Sequence, residues 1–173
     1  MKFSYIIATA CYLILLWGCA DKNTPAAIEG KEAIVSMLDS FHAAAARADY
    51  NGYFDYFSEA GTFLGTDATE HWDKQAFMQW SKPFFDKGKA WSFTAVDRHI
   101  YMHPSGQLAW FDELLNTQMK ICRGSGVVEK QNGRWLVQQY VLSITMPNSK
   151  VDSAVAIKAV EEDSLLNVLQ KKP

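Results

Sequence analysis

The run Lys130-Gln131-Asn132-Gly133-Arg134-Trp135-Leu136-Val137-Gln138-Gln139-Tyr140-Val141-Leu142-Ser143 decides the fold. Asn-Gly tolerates the positive φ angles that a tight hairpin needs, and the residues around it favour strands. It predicts paired strands near residues 120 to 130 and 134 to 146, the second stopped by Pro147-Asn148. From Trp91 onward the apolar pattern has a period near 2, and Pro104-Ser105-Gly106 divides a strand near 91 to 103 from one near 107 to 116. Four strands joined by short turns imply an antiparallel sheet.

Upstream of Trp91 the period is near 3.6. Ile34, Met37, Leu38, Phe41, Ala45 and Ala48 share one side of a helix predicted over residues 28 to 48, with Glu29, Lys31, Glu32 and Asp39 away from it. Residues 49 to 57 read as a short aromatic helix with Tyr53, Phe54 and Phe57 inward, and residues 62 to 66 as β-prone. Asp73 suits a helix N-cap, and Trp72 with Phe77 forms a hydrophobic staple opening a third helix that ends near Gly88. Residues 149 to 169 return to helical spacing, predicting one or two terminal helices that cover an open surface. Helices first and sheet afterwards is an α+β arrangement.

The 173 residues, 49% hydrophobic, suit one domain with a real core. Seventeen basic against nineteen acidic side chains give a formal charge of -2, scattered in both signs, so no basic stripe for nucleic acid is present. The N-terminus reads as an address. Lys2 precedes an apolar run from Tyr5 to Trp17, shorter than the roughly 20 residues of a spanning helix, and polar residues follow Gly18-Cys19 at once. Leu16-Trp17-Gly18-Cys19 resembles the lipobox of bacterial lipoproteins. That resemblance implies a signal peptide over residues 1 to 18, lipidation at Cys19, a tether over 19 to 27, and a domain exported and held by its lipid to a bacterial membrane, on the periplasmic or outer face. An unlipidated secretory signal is the alternative. Cys122 is left without an internal partner, so neither a disulfide nor a cysteine metal site is expected.

Several stretches resemble the SnoaL-like branch of the nuclear transport factor 2-like superfamily. They are Phe63 to Trp72, Ala109 to Leu114, Arg123-Gly124-Ser125-Gly126 and Trp135 to Ser143, within a domain spanning residues 28 to 148 and followed by a helical extension over 149 to 173. The resemblance implies a cone, in which a strongly curved sheet wraps the first helix around an apolar cavity, and pairing into homodimers. It also places Asp67 where ketosteroid-isomerase-like members keep a proton-shuttling carboxylate. Gly65-Thr66-Asp67 equally describes a turn whose carboxylate caps backbone N–H groups.

If the Pro104-Ser105-Gly106 turn pairs residue 102 with 108, Arg98 falls opposite Asp112, with Ile100 and Trp110 on the same face. Arg123 then comes near Asp112, and Tyr140 near Ser125. Two arginines around one carboxylate suit either an anion-binding pocket or a structural network. The candidate pocket is lined by Tyr53, Trp72, Trp110 and Tyr140, with Asp67, Arg98, Asp112 and Arg123 as polar points. His42, His71, His99 and His103 show no metal-ligand pattern, and no cofactor motif is present. Three functions are expected from these residues: binding of a small amphipathic or anionic molecule, a cofactor-independent lyase or isomerase using Asp67, or an envelope interaction module using its sheet face or terminal helix.

Overall fold

The computed structural model describes residues 25 to 171; the expected signal segment and Cys19 lie outside them. Helix α1 spans Pro25–Ala46, so three residues of the expected tether are already helical, with proline at a first-turn position that costs no hydrogen bond. Its inner face carries Ile34, Leu38, Phe41 and Ala45, all buried, as the spacing predicts. Asp49 caps the short α2 (Tyr50–Phe54) by accepting a hydrogen bond from the Gly52 N–H at 2.9 Å. Phe57, expected to close that helix, instead opens strand β1 (Phe57–Leu64).

Strand β2 (His71–Asp73) leads directly into α3 (Lys74–Asp86). Asp73 accepts from the Ala76 N–H at 2.8 Å, and the Trp72 and Phe77 rings stack at 5.5 Å, completing the cap and staple. Four strands follow: β3 (Thr94–Met102), β4 (Leu108–Thr117), β5 (Lys120–Gln131) and β6 (Arg134–Ile144). After a 3₁₀ turn (Asn148–Lys150) comes α4 (Val151–Leu169).

The sheet order is β2-β1-β6-β5-β4-β3. Pairing is antiparallel except that β1 runs parallel to β6, which makes the sheet mixed rather than purely antiparallel. The segment ahead of α3 thus belongs to the sheet, which local periodicity does not reveal because its partner lies some eighty residues away. A further difference concerns α4. Its spacing predicts cover for an open surface, yet none of its residues is buried.

Two bulges set which side chains face α1. Val96 is an extra residue in β3 between the Ala95–Leu115 and Asp97–Leu114 pairs. Gln138 is an extra residue in β6 between Val137–Val128 and Gln139–Val127, so Val137 and Tyr140 both point inward despite their odd spacing. Gln138 is held by accepting from Ser58 Oγ at 2.8 Å and donating to Glu129 at 2.6 Å.

Inside, an aromatic cluster centres on Tyr53, which stacks on Phe41 at 4.4 Å between ring centroids and touches Phe57, Phe77, Phe85 and Trp91. Two glycines on the inner face of β5 make room for larger neighbours. A Cβ on Gly124 would lie 2.3 Å from Tyr140 Oη and 3.0 Å from Glu113 Cγ, and one on Gly126 would meet the Phe111 ring at 2.9 Å. Gly124→Ala is therefore expected to destabilise the domain by about 1–3 kcal/mol through overpacking, measured as a lowered midpoint in urea with an unchanged slope.

Candidate functional site

The hairpin between β3 and β4 pairs Met102 with Ala109, one residue away from the expected register. His103 extends the ladder: its N–H donates to Leu108 O at 2.9 Å, and its ring bonds Ser105 Oγ at 2.8 Å. Because side chains alternate along a strand, a slip of one residue moves each to the opposite face. The expected Arg98–Asp112 pair is thereby corrected. Arg98 lies opposite Glu113 and faces α1, whereas Asp112 and Trp110 face outward.

Glu113 has no solvent exposure and takes three hydrogen bonds. Arg98 Nε donates to its Oε2 at 2.8 Å, Tyr140 Oη donates to Oε1 at 2.9 Å, and His42 Nε2 meets Oε1 at 2.8 Å. The donors come from β3, β6 and α1, so one carboxylate ties the sheet to the helix. Burial alone would raise the Glu113 pKa, but His42 and Arg98 outweigh it and hold the group below the usual carboxylate range. Burial, then the neighbouring Glu113 charge, push Tyr140 well above its ordinary value, so its hydroxyl is a neutral donor. With Glu113 ionised, His42 presents Nε2–H to it and leaves Nδ1 directed elsewhere.

Arg98 also reaches outward. Its Nη1 donates to Asp39 Oδ1 at 2.8 Å and to Val35 O at 3.3 Å, both on α1. Burial pulls the guanidinium pKa down, but Glu113 and Asp39 together hold it above the usual value. Two buried nitrogens, His42 Nδ1 and Arg98 Nη2, have no hydrogen-bond partner among the described residues. A shallow depression open to solvent runs along the outer side of α1, lined by Lys31, Glu32, Val35, Ser36, Asp39, Ser40 and Ala43. Arg98 therefore joins the buried carboxylate to two residues of that depression.

The other candidate residues lie apart. Asp67 is exposed and accepts from the Thr69 N–H at 2.8 Å and the Thr69 hydroxyl at 2.6 Å. Those two bonds lower its pKa, so it is a turn-capping carboxylate, and its expected role as a proton shuttle in a dry pocket is withdrawn. Asp112 does meet Arg123, at 3.7 Å, and also His99 at 3.3 Å, in an exposed network on the outer face. Trp110 stacks on Tyr101 there at 5.9 Å. Tyr140 pairs with Gly126 rather than Ser125 and points inward to Glu113. Tyr53 is walled in by other rings rather than lining open space, and Trp72 sits half-buried against Phe77 and Trp80. Among the described residues no cluster of histidine, cysteine and acid side chains has the grouping a metal ion needs.

A family model described as the SnoaL-like domain matches residues 34–147. The chain belongs to this family. Among solved structures, the SnoaL-like domain is similar to a nuclear transport factor 2-like protein of unknown function from Pseudomonas putida, at 14% identity over 70% of this chain and 90% of that one, with a TM-score of 0.60. It is also similar to a provisionally named dehydratase of the same fold family from Streptomyces avermitilis, at 12% identity over 72% and 100% of the two chains and a TM-score of 0.61. A domain of unknown function with a cystatin-like fold from Nostoc punctiforme gives 17% identity, 83% and 98% coverage and a TM-score of 0.59. At such identities the likeness establishes the nuclear transport factor 2-like fold of the SnoaL-like domain. A search of curated proteins finds no match.

Glu113 is absent from the candidate residues read from the sequence, and His42 enters there only as a histidine without a metal-ligand pattern, though each leaves a signal there. Glu113 occupies an inward position in the alternation Ala109-Phe111-Glu113-Leu115, and His42 lies on the apolar side of α1 beside Phe41 and Ala45. Removing the carboxylate by Glu113→Ala strands Arg98, His42 and Tyr140 and is expected to cost about 3–5 kcal/mol in chemical denaturation. The depressed pKa of Glu113 means that its stabilisation is fully present above the unfolded value of about 4.3 and is lost as pH falls through the folded value. Acid unfolding of the wild type should show that loss, and Glu113→Gln should flatten it.

Proposed function

We propose that this domain binds a small amphipathic molecule with an anionic end, seated in the α1 depression and held by Arg98. The observation that supports this reading is Arg98 itself. It is anchored by buried Glu113, touches the depression through Asp39 and Val35, and retains an unpartnered Nη2 among the described residues. Asp39 is a replaceable partner, because its side chain is 63% exposed and an exposed carboxylate gains little from such a pair. An incoming carboxylate, sulfate or phosphate end displaces it and takes over its bond from Arg98 Nη1. Val35 and Ala43 supply apolar contact for the remainder.

Isothermal titration of octanoate and phenylacetate into the purified chain tests this. Asp39→Asn removes the competing carboxylate and should tighten binding several-fold, while Arg98→Lys should weaken it about tenfold. Affinities unmoved by both substitutions would sink the reading, as would native mass spectrometry showing no retained small molecule in chain purified from its own host.

A second reading, acid–base chemistry, is favoured by His42. Its Nε2 is committed to an ionised acid while its buried Nδ1 has no partner among the described residues, the arrangement of a positioned base. Deuterium uptake from solvent into a cyclic ketone that is lost in His42→Gln would support it.

We also propose that the chain is exported and lipidated at Cys19, on the strength of its apolar leader and the Leu16-Trp17-Gly18-Cys19 run. Among the described residues no helix is long and apolar enough to cross a membrane. In this reading the acyl chains on Cys19 hold the domain at the bilayer. Radiolabelled palmitate fed to the host should label the wild type and not Cys19→Ser, which should also leave the membrane fraction.

A further inference from the structure

On the outer side of α1, Lys31, Val35 and Asp39 recur at four-residue intervals, each turned only about 40° from the last, so they form one row on the helix. Arg98 meets this row at its C-terminal end, where Nη1 bonds Val35 O and Asp39. The Arg98 side chain is 8% exposed, and its Nη2 has no partner among the described residues. The row thus begins at a lysine and ends at a buried guanidinium.

Lys31 is half-buried and is left unmatched by its own helix. The positions three and four away from it are Ala27, Ile28, Ile34 and Val35, none of them acidic, so it has no intrahelical ion pair. The neighbouring Glu32 projects about 100° further round the helix, and Ser40 spends its hydroxyl on Ser36 O at 2.8 Å. Val35, 38% exposed, lies between the two cations. At about 1.5 Å per residue, Lys31 and Asp39 stand about 12 Å apart along the axis, and the lysine side chain leans toward the N-terminus. In the other direction, toward Ala43, the lining holds no second cation.

We propose that the molecule bound at Arg98 carries a second anionic group at its far end, held by Lys31, so that the ligand is a linear dianion of the α,ω-dicarboxylate class lying over Val35. This rests on the reading of Arg98 as an anion anchor, and it adds the ligand's direction and its other end. The span of about 12 Å suits an extended chain of about eight to ten carbons. A depression open to solvent buries little apolar surface, so a fatty acid gains little there beyond its single ion pair. A second charge on the same molecule meets its partner at the high effective concentration that a short linker sets. Two charged ends therefore do what a deep apolar pocket does elsewhere.

Isothermal titration of the purified chain compares octanoate with succinate, suberate and sebacate in the wild type, Lys31→Met, Lys31→Arg and Arg98→Lys, with an unchanged urea midpoint checking that each variant folds. Suberate or sebacate is expected to bind about fivefold more tightly than octanoate, the worth of one partly exposed ion pair, with succinate too short to share the gain. Lys31→Met should bring both long dicarboxylates down to the affinity of octanoate and leave octanoate unmoved, whereas Lys31→Arg should keep the preference. Arg98→Lys should weaken every chain. Octanoate that depends on Arg98 yet binds as tightly as suberate and sebacate overturns the dianion and leaves the anion anchor standing. A preference for the long dicarboxylates that survives Lys31→Met puts their second contact elsewhere and also overturns the proposal. Affinities that ignore Arg98→Lys, or no binding of any chain, remove the anchor and the dianion together.

Discussion

A carboxylate with no access to solvent governs the architecture, because an ion taken out of water must be surrounded by donors or it will not stay charged. Glu113 gathers three, and each reaches it from a different element: Arg98 across the β3–β4 ladder, Tyr140 from β6 and His42 from α1. Helix and sheet are thus held at one separation and one rotation by a point contact. The surrounding apolar core, with its stacked rings around Tyr53, supplies most of the burial but is far less particular about geometry.

Meeting that demand required adjustments in the backbone. Gly124 has no side chain where the Tyr140 hydroxyl passes, and the bulge at Gln138 turns Tyr140 to the inner face at all. The bulge at Val96 shifts β3 by one against β4 between Ala95 and Asp97. Since Arg98 is both the partner of the buried charge and the neighbour of the α1 depression, the same adjustments that stabilise the domain also aim its guanidinium at that depression. Stability and the proposed recognition share these residues.

Much of this is legible without coordinates. The period change at Trp91, the Asn132-Gly133 turn, the Asp73 cap and the Trp72–Phe77 staple are local signals, and each of those elements stands where they predict. What local signals do not supply is register and long-range pairing. One residue added to the His103–Leu108 turn exchanges the two faces of β3, so a reading of the turn alone matches Arg98 with Asp112 and passes over its true partner, Glu113. The parallel pairing of β1 with β6 leaves no periodic trace in either strand. Asp67 takes its expected role through resemblance, whereas its own Gly65-Thr66-Asp67 context already describes the turn that the structure contains.

The β1–β6 pairing also has a bearing on how the chain acquires its shape. Strand β1 is among the first sheet segments to be synthesised and its β6 partner among the last, so the edge of β1 turned away from β2 has no ladder to join until residues 137 to 141 have been made. Contacts this distant in sequence close slowly. A nascent chain of this kind keeps an aromatic strand edge open for most of its synthesis, which exposes it to aggregation if release is delayed.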